Sequence, residues 1–103
     1  MSREVIWSPE ARADIQQVLE YLSQEAPAYA DKVVERLIDA GNGLGAAQTG
    51  RPGRMRGTYE RSLPDVSYII AYYVSPIDPD GPVLILHAIH MSRNWPSGTW
   101  PSN

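Results

Sequence analysis

The hydrophobic period changes halfway along this chain, and that change constrains the fold more than any other feature. In the first half, apolar residues return every three or four positions. Ala11, Ile15, Val18, Leu19 and Leu22 form one stripe, and Ala30, Val33, Val34, Leu37, Ile38, Gly41 and Leu44 form a second. Such spacing places each set on one face of an α-helix. In the second half, "SYIIAYYV" (67–74) and "VLILHAIH" (83–90) are short runs rich in β-branched and aromatic residues. Runs of that kind form strands. Helices that come first and strands that come after predict an α+β fold, with the helices laid on one face of a sheet.

Local signals set the boundaries. Ser8 suits an N-cap, Pro9 the first helical position, and Glu10 the positive end of the helix dipole. The first helix is expected over about 9–23. Pro27 breaks the pattern, and a second helix is expected over about 27–44. So short a break predicts an antiparallel helical hairpin. Frequent glycines in "GNGLGAAQTGRPG" predict a loop over 45–53. "REVIW" (3–7) reads as a short first strand and "MRGTYERSL" (55–63) as another, with turns at 64–65 and 75–82. The expected order is β-α-α-β-β-β, a hairpin packed on a three- to four-stranded antiparallel sheet. Residues 1–96 would form a single domain and 97–103 an irregular tail. Alternation in the last strand turns Leu84, Leu86 and Ala88 towards the helices, and Ile85 and His87 away. In the strand before it, both alternating sets are apolar, so period does not choose a face.

Composition narrows the function. An apolar content of 43% argues against disorder. The absence of cysteine excludes disulfides, a thiolate nucleophile and a cysteine zinc site. The longest apolar run, 68–74, is far short of the roughly 20 residues of a membrane-spanning helix. The start of the chain lacks the apolar stretch of a signal peptide. A cytoplasmic protein with no membrane partner is expected. Net charge is −3, so sequence-specific nucleic-acid binding, which favours a basic protein, is not expected. The charge is unevenly spread. Four of the nine basic residues, Arg51, Arg54, Arg56 and Arg61, fall in one short segment whose only acid is Glu60. Such a patch can meet an acidic partner.

"HAIHMSRNWP" (87–96) holds both histidines. His87, in mid-strand, reads as a structural residue. His90, at the strand end near Arg93, is better placed for function, although no carboxylate partner is evident. Two histidines three apart on a strand point to opposite faces, so no metal site is expected. Trp95 suits a cover over the open end of the core. Trp100, among prolines and glycine, suits a partner interface.

Three stretches in order, "WSPEARADIQQVLEYL", "GRPGRMRGT" leading into "YERSLPDVSYIIAYYV", and a last strand running into "HMSRNWP", resemble ParE toxins of the ParE/RelE superfamily. These are the toxin halves of type II toxin–antitoxin pairs, and the resemblance spans residues 5–96. It implies a helical hairpin against an antiparallel sheet, and a cognate ParD-like antitoxin that is disordered in its C-terminal part until it wraps the toxin. RelE-like members cut messenger RNA on the ribosome, whereas ParE-like members inhibit DNA gyrase without being enzymes. RelE-like enzymes carry an arginine right after the first tyrosine of the central strand. Here that position is Ile69, and the chain's only lysine, Lys32, lies on the second helix. The resemblance therefore implies a ParE-like gyrase inhibitor with no catalytic residues, no cofactor and no metal. Where ParE sequences often show arginine after "GT", this chain has Tyr59, with Arg61 on the same face two residues later. Expected antitoxin contacts are Arg54, Arg56, Arg61, Ile69, Ala71 and Tyr73. Expected target contacts are His90, Arg93, Trp95 and Trp100. Two alternatives stay open: a RelE-like endoribonuclease using His90 and Arg93 with Arg54 or Arg56, and a binding module of the same fold that has lost toxicity.

Overall fold

A computed structural model describes residues 2–53 and 55–92. The order is β1 (Val5–Trp7), α1 (Pro9–Glu25), α2 (Pro27–Gly43), β2 (Arg51–Pro52), β3 (Thr58–Leu63), β4 (Tyr68–Val74) and β5 (Val83–His90). The α+β architecture matches the expectation from period. The sheet is larger than expected, with five strands in the order β1-β5-β4-β3-β2. It is also mixed, because β1 pairs with β5 in parallel while the other pairs are antiparallel. The extra strand, β2, is two residues long and lies inside the segment expected to be loop.

Helix α1 starts where its signals place it. Ser8 Oγ accepts a hydrogen bond from Ala11 N (3.0 Å), and Pro9 takes the first position. The helix runs on to Glu25, two residues beyond the expected end. It stops at Ala26, the residue before Pro27, which has left the helical region (φ −151°, ψ 67°). A following proline disfavours helical backbone at that residue, so one amino acid makes the whole junction. Helix α2 ends at Gly43, and the Trp7 ring of β1 packs against its Gly41.

The core lies between the hairpin and one sheet face. Val33, Leu37, Leu44, Leu63, Ile70, Tyr72, Val83 and Ile85 are its largest fully buried side chains. On β4 the structure selects Tyr68, Ile70, Tyr72 and Val74 for this core. On β5 the expected facing holds for Ala88, which is buried, but is corrected before it: Val83 and Ile85 are buried, while Leu84 and Leu86 are only half-buried. The cause is a β-bulge. Ala71 pairs with His87 but Tyr72 pairs with Ile85, leaving Leu86 as an extra residue. An inserted residue shifts alternation by one and reverses which set faces the core.

Strand β3 begins at Thr58 rather than Met55. Gly57 has φ +84°, and Thr58 N donates to Met55 O (3.0 Å), so residues 55–57 form a turn. Ser67, with φ +64°, belongs to the β3–β4 turn and not to the strand.

Candidate functional site

The expected partner-contact residues divide between the two faces of the sheet. Register pairs Tyr59 with Tyr72, Arg61 with Ile70 and Leu63 with Tyr68 on the helix side. Thr58 with Tyr73, Glu60 with Ala71 and Ser62 with Ile69 then occupy the opposite side. Arg61 is thus on one face, while Ile69, Ala71 and Tyr73 share the other. Arg56 is exposed in the turn before β3. Ala71 corrects an expectation: it is 1% exposed, so the apolar patch available on the outer face rests on the half-buried Ile69 and Tyr73. Arg54, Arg93, Trp95 and Trp100 lie outside the described residues.

Electrostatics differ between the faces. On the helix side Tyr59 stacks on Tyr72, with ring centroids 5.5 Å apart and planes at 21°. The Tyr72 hydroxyl donates to Thr49 O (2.5 Å). Burial pushes the Tyr72 phenol up to about 12; neighbouring Tyr59 adds to the rise and Arg61 opposes it. On the outer side Arg51 lies 3.7 Å from Glu60. Further along, Arg36 on α2 bonds Asp65 in the β3–β4 turn (2.8 Å). That bond raises the guanidinium's pKa and lowers the carboxyl's.

The C-terminal end of β5 gathers the remaining polar groups. His90 is exposed, and its ring meets Tyr68 edge-on at 5.1 Å. Its Nδ1 accepts from Ser92 N (3.1 Å) and lies 2.7 Å from Ser92 Oγ, so a neutral ring carries its proton on Nε2. His87 behaves otherwise. Its Nδ1 donates to Asp14 Oδ2 (2.8 Å), and the same oxygen accepts from Ala88 N (3.0 Å). Sequence reasoning missed this pair, whose members are 73 residues apart. A signal was present: Asp14 sits three residues after Ala11 and four before Val18, on the buried stripe of α1. An acid on that stripe needs a partner. Beside it, Asp14, Gln17, Val18 and Tyr21 of α1 face Tyr68, Ala88, Ile89, His90 and Ser92 across a cleft of about 450 Å³.

Residues 5–95 match the family described as the ParE toxin of the type II toxin–antitoxin system parDE. The chain belongs to the ParE toxin family. It is 35% identical over 98 residues to "Putative toxin Y4kP" of Sinorhizobium fredii, covering 93% of this chain and 97% of the relative. It is 33% identical over 91 residues to the toxin RelE2 of Caulobacter vibrioides, covering 87% and 97%. Among solved structures, the fold is similar to a chain of the chromosomal ParDE system of P. aeruginosa (TM-score 0.73, 20% identity, 86% of this chain and 96% of that one). It is also similar to a chain of the RelBE2 toxin–antitoxin complex of Mycobacterium tuberculosis (TM-score 0.63, 20% identity, 87% and 92%). The structural likenesses establish the toxin fold of this ParE-family chain. Among its described residues, no helix is long and apolar enough to cross a membrane.

Proposed function

We propose that this ParE-family toxin arrests growth by inhibiting DNA gyrase, not by cutting RNA, and that a cognate ParD-like antitoxin neutralises it. One observation carries the reading: the surroundings of Ile69. Cleavage by 2′-hydroxyl attack needs a proton acceptor, a proton donor and cations that hold the charged phosphate. Ile69 stands at the central-strand position where RelE-like enzymes place an arginine. It is half-buried between Ser62 of β3 and Ile89 of β5. Isoleucine, serine and isoleucine in a row supply no phosphate-binding cation. The chain's single lysine is on α2, away from this row.

A second reading, a ribosome-dependent endoribonuclease, is favoured by the relative named RelE2. In it His90, with a proton on Nε2, is the first suspect for the acid. Expression of the chain alone, with chromosomal DNA and transcripts examined after induction, separates the two. Arrest with DNA breaks and intact transcripts is the expected result. Arrest with transcripts cut on the ribosome would overturn it. Normal growth with soluble, folded protein would support a non-toxic binding module.

A further inference from the structure

Strand β1 covers only part of β5. It pairs with Val83–Ile85 and the chain then enters α1, so among the described residues no strand flanks that side of β5 beyond Ile85. Side chains meet the next two edge groups. Ser8 Oγ donates to Leu86 O (3.1 Å), and Asp14 Oδ2 accepts from Ala88 N. Past Ala88 the edge is set by register. Met91 N donates to Ser67 O (2.8 Å) across the β4–β5 pair, which makes Tyr68 and His90 a non-hydrogen-bonded pair. His90 therefore turns its N–H and C=O away from β4, in the same direction as Ala88. Ala88 O, His90 N and His90 O together repeat the hydrogen-bonding pattern of a strand edge.

That edge borders the 450 Å³ cleft under α1. Asp14 is the only carboxylate lining it among the described residues. Both of its hydrogen bonds fall on Oδ2, leaving Oδ1 without a partner among the described residues. Opposite, Tyr21 is 63% exposed, a large aromatic side chain with little to pack on.

We propose that this cleft receives an extended basic segment of the cognate antitoxin, which adds to the edge of β5 at Ala88–His90 and sets a lysine or arginine against Asp14. This rests on the toxin reading above. The backbone edge selects an extended chain, because only a strand presents matching N–H and C=O groups. The free carboxylate oxygen selects a cation. The helical layer adds to that selection: residues 9–43 hold seven acidic and three basic side chains. Like-signed segments are repelled and basic ones are drawn in. The ring of Tyr21 offers a face to the aliphatic stem and charge of the incoming side chain.

The test uses the full chain, free and bound to its cognate antitoxin. Hydrogen exchange at the His90 amide is monitored by NMR, and the dissociation constant is measured for wild type, Asp14→Asn and Gln17→Arg. In the complex, His90 exchange is expected to slow at least about tenfold as its N–H gains a partner. Each substitution is expected to weaken binding about tenfold. Asp14→Asn also disturbs the bond to His87. Gln17 is exposed and its side chain forms no hydrogen bond with the described residues, so Gln17→Arg probes repulsion of a cation without breaking a side-chain contact of the fold. A stable complex with unchanged His90 exchange would overturn the proposal. So would protection already present in the free chain and rising with its concentration, which would assign the edge to a second copy. Growth arrest is scored separately: its absence sinks the toxin reading, while the His90 amide judges the cleft.

Discussion

Gly41 of α2 lies directly against the Trp7 ring of β1. A Cβ placed there would lie 2.4 Å from Cζ2 of Trp7, a distance at which one of the two must move. Trp7 is pinned along the same edge of its ring, since its Nε1 donates to Asn42 Oδ1 (2.9 Å). Gly41→Ala should therefore destabilise the fold by about 1–3 kcal/mol, despite alanine's better helix propensity. Denaturant unfolding measures this, and an unchanged midpoint would show that the ring yields freely. Tyr72 provides a second residue-level prediction. Its neutral form is favoured in the fold, where the phenol is pushed up to about 12 from an ordinary 10. The folded state then holds a proton that the unfolded state has released. Its contribution to stability is intact below pH 10 and declines as pH rises towards 12. Ultraviolet titration should show a late phenolate that Tyr72→Phe removes; a Tyr72→Phe curve whose late step is undiminished would refute the assignment. Neither residue announced its role in the sequence. Gly41 reads as one more position in an apolar stripe, and Tyr72 as one aromatic among several, because both roles depend on neighbours far along the chain.

At the scale of elements, β5 holds the clearest lesson. Its limits, 83–90, are legible from composition alone. Its facing is not, since Leu84, Ile85 and Leu86 are all aliphatic and nothing in them marks the bulge. The bulge becomes visible only through pairing with β4, where Tyr72 meets Ile85 and Ala71 meets His87. This yields a direct comparison. Ile85 is fully buried, so Ile85→Ala should cost about 2–5 kcal/mol. Leu86→Ala, at the half-buried bulge position, should cost clearly less, and chemical denaturation of both variants reads the difference. Equal losses would show that the strand is in the other register. The hairpin of α1 and α2 was legible in its two starts and its break, because Ser8, Pro9 and Pro27 act locally, while the end of α1 came two residues later than expected. The parallel pairing of β1 with β5 was not, because it joins the two ends of the chain and leaves no local trace.

Across the whole molecule, charge is divided between two regions. The helical layer carries a net −4 over residues 9–43, while residues 51–61 carry four arginines and one glutamate. In the structure the acidic layer covers one face and packs on β4 and β5, while Arg51 and Arg56 project at the β2–β3 end. A single antitoxin that wraps such a molecule would need an acidic stretch for one region and a basic one for the other. Surface charges of this kind act mainly on encounter, because solvent screens them once contact is made. Arg51 is well exposed and its ion pair with Glu60 is long, at 3.7 Å, so most of its charge still faces an approaching chain. Reversing both exposed arginines, Arg51→Glu with Arg56→Glu, should slow association with the antitoxin about tenfold at low ionic strength and leave the off-rate nearly unchanged. The difference should shrink as salt is raised and the screening length falls to about 8 Å near physiological ionic strength. Stopped-flow association at several salt concentrations reads this directly. A rate that is insensitive to both charge and salt would mean that the arginines are only a solvated edge, and that apolar contacts at Ile69 and Tyr73 set the encounter.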